Sequence, residues 1–129
     1  FKHREHREEE EREIQIQTRA VAEPVTNRRW QKILEHINST NSSEWRLAIL
    51  EADVVLEEML DKIGYHGETI GDKLKAVEKS DFNSIDSAWE AHKIRNAIAH
   101  EGSEFQITER EAKRVIGLYK QVFEEFKFI

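Results

Sequence analysis

The feature that most constrains this fold is an apolar repeat of about five helical turns in the first half of the chain. Its members recur every three or four positions: Trp45, Ala48, Ile49, Ala52, Val55, Leu56, Met59, Leu60 and Ile63. That spacing is typical of an amphipathic α-helix. Asn41 or Ser42 is a suitable N-cap, and Gly64 is a suitable stop signal. We therefore predict a core helix, which needs other helices to cover its apolar face.

Further helical patterns occur on both sides of the core helix. We predict helices over residues 28–38, with Asn27 as N-cap, over 71–79, and over 85–100, with Ser84 as N-cap. A last helix opens at the capping box that Thr108 and Glu111 form. The sequence therefore predicts an all-α fold, an antiparallel bundle of four to five helices.

The composition excludes several functional classes. The 129 residues are enough for one domain with a real core. With no Cys, the chain has no disulfide, thiolate nucleophile or thiolate metal site, which agrees with a cytoplasmic location. No apolar run approaches the roughly 20 residues of a membrane span. The net charge of −6 argues against a non-specific nucleic-acid coat, but a local basic pocket for one phosphate stays possible.

The N-terminal part differs in composition from the rest of the chain. Residues 2–13 are almost wholly charged, and Pro24 marks the start of the patterned region. We therefore assign residues 1–26 to a charged extension, stalk or linker and residues 27–129 to the helical bundle domain. The chain begins at Phe1 without Met, so we expect a fragment or processed form and leave an upstream membrane anchor open.

Candidate functional residues cluster late in the helix predicted over 85–100. His92, Asn96 and His100 follow one another four residues apart, and Arg95 lies beside them. Arg supplies a planar cation suited to phosphate oxygens, and His exchanges protons near neutral pH. Metal-free phosphodiester cleavage needs those groups. The structural alternative is that Arg and His only complement the negative end of the helix dipole.

The run Arg95-Asn96-Ala97-Ile98-Ala99-His100 resembles the Arg, polar residue, three spacers, His signature of the HEPN superfamily of helical domains. The order of the predicted helices also resembles that of the family, over roughly residues 43–128. It implies a homodimer that brings two motifs to a shared cleft and cuts single-stranded RNA without metal, in defence or an RNA-stress response. It also implies that His100 is the general base or acid, that Arg95 holds the phosphate, and that Asn96 orients His100 or binds a phosphate oxygen.

Two residues near the motif, and one difference between this chain and the family, also bear on this hypothesis. His92 is a candidate second proton-transfer group or phosphate contact, and equally a surface His. Lys93 lies off this face and adds positive potential. Some members of the family carry a Tyr two residues after the motif His, as a site of nucleotidylation. Gly102 stands there in this chain, so we expect no such regulation.

Two non-enzymatic alternatives remain open: a non-catalytic HEPN-like module that binds a nucleotide or a partner protein, and a structural dimerisation domain. The complete motif favours the endoribonuclease, whereas the acidic balance favours the alternatives. We expect no cofactor and no metal, because His92 and His100 lie two helical turns apart, too far to chelate one ion.

Overall fold

A computed structural model describes residues 25–129. This part of the chain folds into five helices: α1 over residues 25–37, α2 (Ser42–Lys62), α3 (Ile70–Lys75), α4 (Ile85–Glu101) and α5 (Glu109–Glu125). Short 3-10 turns lie at Lys79–Asp81 and Gly102–Glu104. No strand occurs among the described residues. The predicted all-α bundle is confirmed.

The order of contacts along α4 shows that it runs antiparallel to both α5 and α2. Ser84, just before α4, donates to Glu125 at the end of α5, with 2.7 Å between Ser84 N and Glu125 Oε1. Arg46, near the start of α2, lies 3.4 Å from the carbonyl oxygen of Phe105, just beyond the end of α4. Helices α2, α4 and α5 contact one another and form the centre of the bundle.

Helix α1 packs antiparallel to α2 and α5. Near its end, His36 lies 3.6 Å from Glu44 in the first turn of α2. Near its start, the Trp30 ring meets Phe123 edge-on in the last turns of α5, with 5.7 Å between ring centroids. The large aromatic surface of Trp30 thereby fixes α1 on the outside of the α2 and α5 pair.

The core follows the predicted apolar faces closely. On α2, the members of the repeat from Ala48 to Leu60 are buried, and on α5 the buried residues are Ala112, Val115, Ile116, Tyr119, Val122 and Phe123. Each large apolar side chain buried in this way contributes about 1.5–3 kcal/mol. Asp53 and His92 are buried as well. These two polar residues lie inside the core rather than on the surface.

Several predicted helix ends are observed. Asn41 caps α2 by accepting from Ser43 N at 2.9 Å, and Thr108 caps α5 by accepting from Glu111 N at 3.1 Å. Gly64 and Gly102 follow α2 and α4 with φ of 95° and 60°, a region that costs a residue with a Cβ. These glycines allow the chain to turn sharply after each long helix.

Three details of the prediction are wrong. Asn27 is not an N-cap, because residues 25–27 are already helical. The helix predicted over 71–79 is Ile70–Lys75, capped by Thr69, whose Oγ1 accepts from Asp72 N. Ser84 precedes α4 as expected, but its side chain makes no cap bond.

The predicted extension, residues 1–26 with Pro24, lies outside the described residues except for residues 25 and 26, which belong to α1. Within residues 25–129, no helix is both long enough and apolar enough to cross a membrane.

Candidate functional site

The candidate site is assembled on the side of α4 that faces α2. Helix α4 buries Ala88, Ala91 and Ile98 against its neighbours. The same helix turns His92 inward, leaving the residue 7% exposed. A His side chain at this depth needs a partner for its ring N–H. The alternative of a surface His is therefore wrong for His92.

The partner of His92 is Asp53, which the sequence analysis did not single out. Asp53 lies in the middle of α2 and is 1% exposed. Its Oδ2 lies 3.1 Å from His92 Nδ1, and its Oδ1 accepts from the Tyr119 hydroxyl at 2.8 Å. A buried carboxylate is tolerated when it is paired and hydrogen-bonded in this way. Asp53 therefore connects α2, α4 and α5 at one point.

The sequence carries a signal for Asp53. Asp53 lies four residues after Ile49 and three before Leu56, which places a carboxylate within the apolar stripe of α2. A charged residue at such a position is rarely buried without partners. That anomaly indicates that Asp53 needs a polar partner inside the bundle, although it does not identify the partner.

Tyr119 donates to this carboxylate and stays protonated. Burial raises the pKa of Tyr119 well above its usual value, and the negative charge of Asp53, together with the hydrogen bond between them, raises it further. The hydroxyl is thus a fixed donor. Asp53 is the acceptor of the pair.

Arg95 lies at the edge of the same network. Its Nε is 3.4 Å from Asp53 Oδ2, and its Nη1 donates to Asn96 Oδ1 at 3.1 Å. Within residues 25–129, Arg95 Nε is buried and has no hydrogen-bond partner, so the attraction to Asp53 is electrostatic. The Arg95 side chain is 34% exposed. Its guanidinium thus faces Asp53 through Nε and Asn96 through Nη1, while about a third of the side chain reaches solvent.

Asn96 joins Arg95 to His92. Because a guanidinium only donates, the Asn96 oxygen faces Arg95, and Asn96 Nδ2 then faces His92 Nε2 at 3.3 Å. With Nδ2 donating, His92 Nε2 accepts, and the ring proton lies on Nδ1, directed at Asp53. The directions of these bonds are therefore mutually consistent for a neutral His92.

A pocket of about 480 Å³ opens beside this network. Asp53, His92, Arg95 and Asn96 form one wall. The remaining lining residues come from α2 and the start of α3: Val54, Glu57, Thr69, Ile70 and Gly71. The volume lies within the range of small-molecule sites, about 300–1,000 Å³. A ligand here would meet a cation, carboxylates and apolar surface in the same space.

The structure brings together some of the predicted site residues and leaves others apart. His92, Arg95 and Asn96 form one hydrogen-bonded group with Asp53. His100 and Lys93 are exposed, and neither has a hydrogen-bond partner among residues 25–129. Arg95 and His100 are separated by about 7.5 Å along the helix axis and about 140° around it. Within one chain, Arg95 and His100 therefore point to different sides of α4.

The site combines a cationic side chain with a carboxylate–imidazole pair. Within the described part of the chain, no three His, Asp or Glu side chains are grouped so that they could hold a metal ion. Arg95 can bind an anion, and the Asp53–His92 pair is a carboxylate–imidazole dyad of the kind that holds a His in one tautomer.

Comparisons with known proteins identify no relative: no protein-family model, no curated protein and no solved structure matches the chain.

Proposed function

We propose that this protein is a metal-independent endoribonuclease that cleaves single-stranded RNA as a homodimer, with Arg95 and His100 as its principal catalytic residues and Asn96 as their polar neighbour. The observation that carries the proposal is the state of Arg95. Its guanidinium faces a buried carboxylate through Nε, while the side chain as a whole remains 34% exposed and lines an open pocket. The resemblance of Arg95–His100 to the HEPN signature supplies the reaction.

Arg95 is suited to stabilise a phosphorane-like transition state. Asp53 and Asn96 hold its side chain in one orientation before any ligand arrives, so little ordering is needed on binding. A preorganised cation aimed at developing negative charge acts at no further cost during the reaction, and removal of one such contact costs about 10²–10³ in rate.

The reaction has a simple balance of bonds. The ribose 2′-hydroxyl attacks the adjacent phosphorus, a general base takes the hydroxyl proton, and the bond from phosphorus to the 5′-oxygen breaks. A general acid returns a proton to the leaving 5′-oxygen. The products are a 2′,3′-cyclic phosphate and a 5′-hydroxyl, and neither step requires a metal ion.

His100 is the proposed base or acid. It is exposed in the last turn of α4, where an RNA backbone can reach it. Two proton transfers call for two groups, and a second copy of the motif in a homodimer supplies the other. His92 is an auxiliary candidate, because its Nε2 accepts from Asn96 and its Nδ1 faces Asp53.

The test is cleavage of a labelled single-stranded RNA in EDTA. The unmodified protein is compared with Arg95→Ala and His100→Ala, and with Arg110→Ala and His36→Ala as matched controls of the same residue types outside the site. We expect each motif variant to lose about 10²-fold or more in rate, and each control variant to cut as the unmodified protein does.

Circular dichroism of every variant separates lost chemistry from lost structure. Arg95→Lys serves as a second variant, since it keeps the charge but loses the planar fork. Absence of cutting by the unmodified protein across several RNAs would contradict the proposal. Equal cutting by the Arg95 variants and the controls would contradict the assignment of Arg95.

One observation favours a second function, that of a non-catalytic module that binds a nucleotide. Of the two histidines on this part of α4, His92 has a carboxylate partner but is buried, whereas the exposed motif histidine, His100, has no partner to orient it among residues 25–129. Under this alternative Arg95 still binds phosphate, but the protein does not cleave RNA. Arg95→Ala is then expected to weaken nucleotide binding.

A further inference from the structure

The pocket beside Arg95 has a second end with different chemistry. Glu57 lies one turn after Asp53 on α2, about 6 Å along the helix axis, and both line the pocket. Arg95 is therefore at one end, near Asp53, and a second carboxylate is at the other. Val54, 45% exposed, lies on the same wall.

Lys73 fixes the orientation of Glu57 without cancelling the local charge. Its Nζ lies 2.9 Å from Asp61 Oδ1 and 3.2 Å from Glu57 Oε2. The hydrogen bond with Asp61 raises the pKa of Lys73, burial lowers it, and Glu57 raises it again, with a net increase. One cation thus serves two carboxylates. Glu57 Oε1 has no hydrogen-bond partner among residues 25–129 and remains an acceptor.

These positions disfavour a phosphate at the Glu57 end. Glu57 and Asp61 carry two negative charges against the one positive charge of Lys73. At the opposite end Arg95 balances the charge of Asp53, so an anion is disfavoured more strongly at the Glu57 end. A ligand that matches the whole pocket carries an anion, then a flat apolar body against Val54, then hydrogen-bond donors directed at Glu57. A nucleotide has this order of groups, because its phosphate and the pairing edge of its base lie at opposite ends.

A carboxylate discriminates among the four bases, because it accepts hydrogen bonds and does not donate them. Guanine is the base whose pairing edge presents two adjacent donors, its ring N1–H and its exocyclic amine. In adenine and cytosine the amine lies next to an acceptor nitrogen, and in uracil the single N–H lies between two carbonyls. Of the four bases, guanine therefore pairs best with Glu57.

We propose that this pocket is a guanine-specific nucleotide site, in which Glu57 accepts from the base, Val54 packs on its face and Arg95 binds the phosphate. The inference rests on the proposed function in one respect, since it takes Arg95 as the phosphate contact, and it adds a base preference to that function. Base edges in single-stranded RNA are free to be read in this manner.

The test is an NMR titration of the full chain with guanosine, adenosine, cytidine and uridine 5′-monophosphates in turn. We expect the guanosine nucleotide to bind roughly 10-fold more tightly than the other three, in line with the discrimination of a bidentate contact. Shifts are expected at the amides of Val54, Glu57 and Arg95. Equal affinity for all four nucleotides would overturn the proposal without the use of any variant.

Glu57→Gln gives a sharper result, because an amide offers one acceptor and one donor. The pairing edge of each of the four bases offers an adjacent donor and acceptor to such an amide, so the amide does not favour guanine. We therefore expect Glu57→Gln to lose the preference for guanosine monophosphate over the other three nucleotides. Glu51→Gln, the same change at an exposed site outside the pocket, should keep the guanosine preference. An unchanged preference in Glu57→Gln would refute the role of Glu57.

Arg95→Ala should weaken the binding of all four nucleotides about equally, because it removes the phosphate contact and not the base contact. The titration reads binding and not cleavage, so the two proposals fail separately. Guanosine selectivity in a protein that leaves RNA intact would keep the pocket assignment and overturn the nuclease. RNA cleavage with no guanosine selectivity would do the reverse.

Discussion

Replacement of Asp53 by Asn should destabilise the fold more than any other single isosteric change in the site. Asp53 accepts from Tyr119 at 2.8 Å, lies 3.1 Å from His92 Nδ1 and faces Arg95 Nε at 3.4 Å. Asn keeps the shape but loses the charge. It also turns one of the two acceptor atoms into a donor, so one of the hydrogen bonds from Tyr119 and His92 is lost or must reverse its direction.

The size of the effect follows from what is left unpaired. A hydrogen bond to a charged group is worth about 1.5–3 kcal/mol. Because Asp53→Asn weakens the bonds from both Tyr119 and His92, we expect it to cost about 3–5 kcal/mol. Tyr119→Phe removes the hydroxyl that donates to Asp53 at 2.8 Å and lies 3.4 Å from the Ala91 carbonyl oxygen, and it should cost about 1.5–3 kcal/mol. Because the two changes share one bond, the double variant should cost less than the sum of the two.

Urea unfolding at neutral pH, followed by circular dichroism, measures these free energies. Asp81→Asn, the same substitution at an exposed position, is the control and should lie within about 0.5 kcal/mol of the unmodified protein. A free energy of unfolding for Asp53→Asn within that margin would refute the reasoning. Additive costs in the double variant would show that Tyr119 and Asp53 do not share a bond.

Three further predictions follow from individual contacts. Burial alone raises the pKa of Glu125, but hydrogen bonds from Ser84 and the Asn83 backbone outweigh burial and hold that pKa below its usual value. The stabilisation by Glu125 is therefore present above the pKa of its unfolded state and is lost as the pH falls through the folded value. Glu125→Gln should cost about 0.5–2 kcal/mol at neutral pH and flatten the acid side of the stability profile in urea titrations; an unchanged profile would contradict this. Leu56→Ala, at a fully buried position, should cost about 2–5 kcal/mol in the same assay, and a loss below 1 kcal/mol would contradict the packing described. Thr108→Ala removes the cap of α5 and should lower the free energy of unfolding by about 1 kcal/mol, whereas Thr108→Ser should restore most of it.

The long helices were predictable because their apolar spacing is dense. The repeat from Trp45 to Ile63 and the apolar face of α5 set both the helix positions and the core, since burial of apolar surface dominates folding. Shorter elements were less predictable. The six-residue helix α3 has too few turns for a clear period, and its ends depend on local caps such as that of Thr69.

The site was predictable in part. Arg95, Asn96 and His92 lie within one helix, where spacing alone brings them close together. Asp53 and Tyr119 are 66 residues apart along the chain, and their meeting depends on how α2 and α5 pack. Periodicity within one helix carries no information about which distant polar group a buried His will find.

The central claim is that this chain cleaves RNA through the 2′-hydroxyl without a metal. The most direct measurement compares two labelled oligonucleotides in EDTA, one all-ribose and one with 2′-deoxyribose at the cleavage position. The account predicts that the ribose strand is cut to a 2′,3′-cyclic phosphate end and that the deoxyribose position stays intact. Cleavage at the deoxyribose position, or no cleavage of either strand, would contradict it.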